Sequence, residues 1–361
     1  MRIELPISKS IANRLLILQA IHGDGLLTVS ADIPDDVQIL HKALTTLHNT
    51  TQYCTTLHLS NCGTAMRFLT AYAAQLENKI TILDGIERMH HRPIGQLVEA
   101  LREMGAQIEY LGKEGFPPLR IKGCALDKQR IIRIDNPLST QFVSALLLIG
   151  ANVQTNSTSP YITLTREMIK NKEQGTKNKD KLLTTDQTPV TNLGSLVLAP
   201  YSEIERDWSS AAFWYEYVAL HGGEIHLPGL FRDSLQGDKV VADIFTHLGV
   251  QTQYTAEGIV ISSLPLRPTP DTLLQDFKDC PDLYPAVALT CERLGITLHA
   301  TGIESLSIKE SDRIRAVREH HTAHDHRMAM ALLVAGYPVD DTNCIKKSYP
   351  EFLEQWQKQT T

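Results

Sequence analysis

The feature that most constrains this 361-residue chain is an internal repeat: a strand, a polar motif, a helix closed by glycine, then an alternating strand. The unit recurs at least six times. Helical spacing marks Ile11–Ile21, Asp35–Leu47, Ala65–Ala74, Arg88–Gly105, Ser139–Ile149, Glu203–Leu220, Val240–His247, Asp282–Leu294 and Met328–Ala335, with a short terminal helix over 349–357. Strands are expected at 2–7, Leu26–Val29, Leu57–Leu59, Ile80–Leu83, Ile131–Ile134, Glu224–Leu227 and Ile296–Ala300. Their apolar residues alternate with polar ones. That predicts sheets with one face less buried, rather than a parallel sheet covered on both sides. The Lys-rich stretch 170–192 breaks the pattern and reads as a solvated loop or insertion.

The polar motifs stand where helices begin, and there unpaired backbone N–H groups and the helix dipole favour anions. Lys309-Glu310-Ser311-Asp312-Arg313 is the densest of them. If it opens a helix, Lys309 and Arg313 share a face and could grip an anion, with Glu310 beside them as a proton carrier. Read alone, the same five residues also describe a solvated helix start with i,i+4 pairing. Ser10 is placed as an N-cap, Asp282 reads equally as a helix cap or a reacting carboxylate, and Asp207-Trp208-Ser209 reads as a cap followed by a buried aromatic. Asp325 and His326 are expected to orient Arg327.

A net charge of −6 gives no bulk attraction to nucleic acid. No apolar run approaches the length needed to span a bilayer, and Met1–Pro6 holds no apolar signal core. The six cysteines include no Cys-x-x-Cys pair, and no histidine stands at zinc-finger spacing from them. Reduced thiols in a cytoplasmic protein are therefore expected, with no metal site.

Eight motifs in register carry a family resemblance: Ser8-Lys9-Ser10 with Asn13-Arg14, Asn61 to Arg67, Arg92-Pro93-Ile94, Ser139-Thr140-Gln141, Pro281-Asp282, Lys309 to Arg313, Asp325-His326-Arg327 and Lys347 to Pro350. Together they resemble the 5-enolpyruvylshikimate-3-phosphate (EPSP) synthases, members of the enolpyruvyl transferase family. The resemblance implies an α/β fold, a two-domain inside-out α/β barrel built from βαβαββ repeats. The domains would be 9–207 and 1–8 plus 208–361, with the active site in a cleft that closes on substrate. It implies transfer of the enolpyruvyl group of phosphoenolpyruvate to the 5-hydroxyl of 3-phosphoshikimate, in chorismate and aromatic amino-acid biosynthesis, by a monomer that requires no cofactor.

By motif match, Lys9, Arg92, Arg313, Arg327 and Lys347 would surround phosphoenolpyruvate, and Gly63 would offer a backbone N–H. Ser10, Arg14, Ser139, Thr140, Gln141, Tyr161 and Lys309 would hold 3-phosphoshikimate, with Thr158 standing where the family usually has Ser. Asp282 would accept the hydroxyl proton, and Glu310 and Lys347 would protonate and deprotonate C3. The sequence departs from the family at Phe68, usually Pro, and at Ser305, usually Asn. Only Ile314–Ala323 separates Arg313 from His324, so one repeat is expected to be shortened. A non-catalytic relative that kept the anion cage but lost turnover is the alternative this shortening raises. UDP-N-acetylglucosamine enolpyruvyltransferase, of the same fold, lacks the Ser-Lys-Ser and Lys-Glu-Ser-Asp-Arg motifs.

Overall fold

The computed structural model describes residues 1–23, 33–178, 204–264 and 270–360. The chain divides into two compact units. The expected strand at Leu26–Val29 and the Lys-rich residues beyond 178 lie outside the described residues.

One unit comprises Ser10–Val29 and Asp36–Ile204. Its elements are α1 (Lys9–His22), α2 (Asp35–Asn49), β1 (Cys54–His58), α3 (Gly63–Ala74), β2 (Ile80–Asp84), α4 (Gly95–Glu103), β3 (Gln107–Tyr110), β4 (Leu119–Lys122), β5 (Ile131–Arg133), α5 (Thr140–Leu148), β6 (Asn152–Gln154) and α6 (Pro160–Asn178). A four-stranded sheet has the order β1-β2-β4-β3. β1 and β2 are parallel, and the β3–β4 hairpin adds antiparallel strands. β5 and β6 form a separate parallel pair. β1, β5 and β6 bury every second residue, as the alternation predicts.

Three local expectations change. Ser10 does not cap α1, which already begins at Lys9. The helix expected from Arg88 is a 3-10 turn at Glu87–His91, and α4 starts only at Gly95. Pro93 forces Arg92 into extended backbone (φ −93°, ψ 117°), which interrupts the helical path. Residues 170–178, expected as a solvated loop, complete α6. Ile162, Leu164 and Met168 bury one side of that helix, and Lys172 is buried with its Nζ 3.1 Å from the Leu18 carbonyl. A lysine that lays its stem on apolar surface and spends its ammonium on a backbone acceptor looks like loop composition in sequence.

The other unit comprises Met1–Lys9, Ser30–Asp35 and Glu205–Thr361. It contains α7 (Trp208–His221), β7 (Glu224–Pro228), α8 (Val241–Thr246), β8 (Val250–Tyr254), β9 (Gly258–Ser263), β10 (Thr272–Asp276), α9 (Tyr284–Leu294), β11 (Thr297–Thr301), α10 (Arg313–Glu319), α11 (His326–Val334) and α12 (Phe352–Thr360). The sheet β7-β9-β8 is antiparallel, and β10 pairs with β11 in parallel. The strand expected at 2–7 is reduced to single bridges, Arg2 to His226 and Ile7 to Arg206.

α7, α9 and α11 pack on one another inside this unit. Their sequences are apolar nearly all round, as fully enclosed helices require. Trp208, Trp214 and Phe213 of α7, Leu289 of α9 and Met328 and Leu332 of α11 are almost wholly buried. Trp214 Nε1 donates to the Tyr349 hydroxyl at 3.2 Å, and that hydroxyl donates to the Gln355 side chain at 2.6 Å, fastening α12 to the core. Among the described residues no helix is long and apolar enough to cross a membrane.

Glu216 of α7 is fully buried, and neither carboxylate oxygen has a hydrogen-bond partner among the described residues. Burial alone pushes its carboxyl well above the ordinary range. A folded-state pKa raised above the unfolded value means the fold binds the proton, so stability is lost as pH rises from about 4.3 towards the folded value. Glu216→Gln should therefore gain melting temperature relative to wild type between pH 5 and pH 8. An unchanged difference between those two pH values would contradict a neutral buried Glu216.

Candidate active site

In the unit built on α7, α9 and α11, the site begins with a buried cation. Arg313 opens α10, which Asp312 caps through the Arg315 N–H at 3.1 Å. The Arg313 side chain is 1% exposed and meets three carboxylates. Its Nε donates to Asp325 Oδ2 at 2.8 Å, Nη1 to Asp282 Oδ1 at 2.6 Å, and Nη2 to Glu310 Oε2 at 3.1 Å. A second Nη2 contact reaches Asp325 Oδ1 at 3.4 Å. Burial alone would disfavour its charge, but Asp325, Asp282 and Glu310 more than offset that and raise its pKa. Asp325 is fully buried, accepts from the Ser311 hydroxyl at 3.1 Å, and caps α11 through the Arg327 backbone N–H at 3.0 Å. Asp325 thus meets Arg327 through its backbone N–H, while the same carboxylate grips the Arg313 side chain.

Asp282 lies in a 3-10 turn, Pro281–Leu283, just before α9. Among the described residues it makes no capping bond to that helix. Its Oδ2 stands 2.9 Å from Arg327 Nη2, and its Oδ1 3.6 Å from Lys309 Nζ. Burial pushes the carboxyl up, but Arg327, Lys309 and Arg313 outweigh it and hold it well below the usual carboxylate range. Lys309 itself is lowered, chiefly by burial. It reaches Asp282 from extended backbone ahead of α10, not from a helical face shared with Arg313, because the helix starts four residues later than that reading requires. Glu310 bridges two cations, with Oε1 3.1 Å from Lys347 Nζ. His326 is buried and neutral: burial first, then the nearby charges of Lys9, Arg327 and Lys347, push its pKa well down. Neither of its ring nitrogens is hydrogen-bonded among the described residues.

In the other unit, Cys62 caps α3 with its sulfur accepting the Ala65 N–H at 3.4 Å, and is buried. Two guanidinium groups, Arg67 and Arg92, lie against the following glycine, and a Cβ at Gly63 would collide with both. Both side chains are largely buried. Arg92 Nη1 donates to the Asn61 carbonyl at 3.1 Å, and Arg67 Nη1 to Gln141 Oε1 at 3.0 Å. Gln141 in turn donates to Thr64 Oγ1 at 3.2 Å. Ser139 caps α5, which Thr140 begins, and accepts from the Gln141 N–H at 3.3 Å. Two cations against the start of a helix, without intervening Cβ, form a cradle for an anion.

Arg14 is fully buried and donates to Thr165 Oγ1 at 2.8 Å, the Ser10 carbonyl at 2.5 Å and the Tyr161 carbonyl at 2.9 Å. Its guanidinium stacks 3.9 Å from the Tyr161 ring. Burial lowers its pKa. Thr158 is exposed just before α6. Among the described residues no group of three or more His, Cys, Asp or Glu could hold a metal ion.

Sequence reasoning gave no role to Arg67, one helical turn after Gly63, although that i,i+4 spacing was visible. A family-wide profile described as EPSP synthase (3-phosphoshikimate 1-carboxyvinyltransferase) matches residues 1–320 and 317–356.

The chain belongs to the EPSP synthase family.

The two parts of the match overlap at residues 317–320, at the C-terminal end of α10. A 3-phosphoshikimate 1-carboxyvinyltransferase from Bacteroides fragilis (strain YCH46) is 38% identical over 403 residues, covering 99% of this chain and 94% of that protein. One from Colwellia psychrerythraea is 29% identical, covering 97% and 95%. An EPSP synthase structure from Acinetobacter baumannii superposes with a TM-score of 0.66 at 19% identity, covering 99% of this chain and 95% of that one, which supports the EPSP synthase fold.

For this EPSP synthase family member, Asp325→Ala should be severe. It would strip a buried arginine of its most enclosed partner and remove the α11 cap, costing about 3–5 kcal/mol. Urea unfolding reads this directly, and a loss under 1 kcal/mol would contradict the grip described.

Proposed function

We propose that the chain is an active EPSP synthase. It transfers the enolpyruvyl group of phosphoenolpyruvate to the 5-hydroxyl of 3-phosphoshikimate and releases phosphate. The observation that carries this reading is the cluster of Asp282 and Glu310 with Lys309, Arg313, Arg327 and Lys347, which supplies acid–base groups and cations together.

The chemistry needs both. The substrates are multiply anionic, and their repulsion grows as water is excluded. In a chain of net charge −6 the balancing cations must be local. Lys9, Arg92, Arg313, Arg327 and Lys347 would hold phosphoenolpyruvate, with Gly63 giving its N–H. Ser10, Arg14, Ser139, Thr140, Gln141, Thr158, Tyr161 and Lys309 would hold 3-phosphoshikimate. Several of these side chains are already locked by neighbours, as positioning demands.

Asp282, kept anionic by Arg327, Lys309 and Arg313, is suited to accept the 5-hydroxyl proton. Lys347 donates to Glu310 at 3.1 Å, and one of this pair would add a proton to C3 and then remove it. The hydroxyl oxygen adds at C2, and the tetrahedral intermediate collapses with phosphate leaving. The net hydroxyl proton departs with phosphate, so every proton borrowed is returned.

The domains proposed are 9–207 and 1–8 with 208–361, an inside-out α/β barrel pair working on one pair of substrates. β1-α3-β2-α4-β3-β4 supports this reading, since it follows the βαβαββ order. β10-α9-β11-α10 is followed directly by α11, without a hairpin, which supports a shortened repeat after Arg313. A cytoplasmic monomer without a cofactor completes the proposal.

Phosphate release from phosphoenolpyruvate, with 3-phosphoshikimate or UDP-N-acetylglucosamine as acceptor, tests the reaction. Release only with 3-phosphoshikimate is expected, and none with either from folded protein would overturn it. Arg327→Ala should raise the KM for phosphoenolpyruvate by about 10²-fold, because a charged donor is lost. Wild-type kinetics in that variant would remove Arg327 from the site.

A further inference from the structure

Asp238 has no role in the scheme above, yet it is drawn into the same cluster. It sits in a 3-10 turn, Gly237–Val240, that packs against α7, and α7 also packs against the Asp282 turn. The Ser209 hydroxyl, in the first turn of α7, donates a short hydrogen bond to Asp238 Oδ2. The turn's approach is fixed by Gln236, which accepts from the Ser8 hydroxyl at 2.8 Å and donates to the Arg206 carbonyl at 2.8 Å. Asp207, the α7 cap, adds a further carboxylate whose charge acts on Asp238.

The charged groups facing Asp238 are Asp282 on the 3-10 turn before α9, Arg327 on α11 and Asp207 at the start of α7. The Cys280 thiol also faces it, raised first by burial and then by the charge of Asp238. Arg327 accordingly lies in the field of three carboxylates, Asp282, Asp207 and Asp238.

We infer that Asp238 is a positioning residue for the phosphoenolpyruvate side of the site: protonated, it leaves the charge of Arg327 to Asp282 and the incoming anion, and ionised, it competes for that charge. The inference rests on the proposed reaction. Burial, then the charge of Asp282, pushes the Asp238 carboxyl up to about 7, although Arg327 and Ser209 oppose the shift. The group therefore changes state near neutrality, where a neighbouring unit charge shifts anion affinity by about tenfold.

The test compares the KM for phosphoenolpyruvate and kcat from pH 6 to pH 8.5 in wild type, Asp238→Asn and Ser209→Ala. Titration of the phosphoenolpyruvate phosphate cancels in the ratio of wild-type to Asp238→Asn KM. That ratio should climb from near one at pH 6 to about tenfold at pH 8.5, with kcat changed much less. In Ser209→Ala the climb should move to higher pH, because the ionised form loses its donor. A merely structural Asp238 would give a pH-independent ratio, and that result overturns the inference while active wild type leaves the reaction standing. If wild type released no phosphate, the reaction would fall, and the same ratio of calorimetric Kd values for phosphoenolpyruvate would decide the inference.

Discussion

A guanidinium that is 1% exposed cannot exist without compensation, and the unit around α9 and α11 is arranged to supply it. Arg313 takes Asp325 from the cap of α11, Asp282 from the turn before α9, and Glu310 from its own loop. Each carboxylate has a second task. Asp325 caps a helix, Asp282 also meets Arg327, and Glu310 also meets Lys347. The requirement to neutralise one buried cation thus fixes the spacing of the groups to which the proposed reaction assigns proton transfer. The arrangement also separates roles by environment. Asp282, among three cations, is held anionic, while Asp238, beside Asp282, is pushed towards neutrality.

The second unit solves a different electrostatic problem. Its buried arginines donate to neutral acceptors: carbonyls, a threonine hydroxyl and a glutamine amide oxygen. Neutral acceptors orient a guanidinium without cancelling its charge. Gly63 matters here for a steric reason, since any side chain at that position would displace both Arg67 and Arg92.

Much of this was legible in the sequence because local chemistry dictated it. Asp207 caps α7 and Trp208 is buried, as their order implied. Helices α2, α3, α5 and α9 follow their apolar spacing to within a few residues. What was not legible depends on partners remote in sequence. Asp325 and Arg313 are twelve residues apart, Asp282 and Arg313 thirty-one, so no local pattern joins them. Lys172 reads as solvated until Leu18 is beside it. The β3–β4 hairpin went unread because its strands are only four residues long and strongly polar on one face.

The central claim is that Arg313 holds Asp282 and Glu310 where proton transfer needs them. The single-turnover rate of enolpyruvyl transfer in Arg313→Lys tests it most directly, with cooperative unfolding measured on the same protein. Lysine keeps the charge but cannot present a planar fork to three carboxylates. The account predicts a folded protein whose chemical step is slowed by about 10²–10³-fold. A folded variant that turns over at the wild-type rate would contradict it.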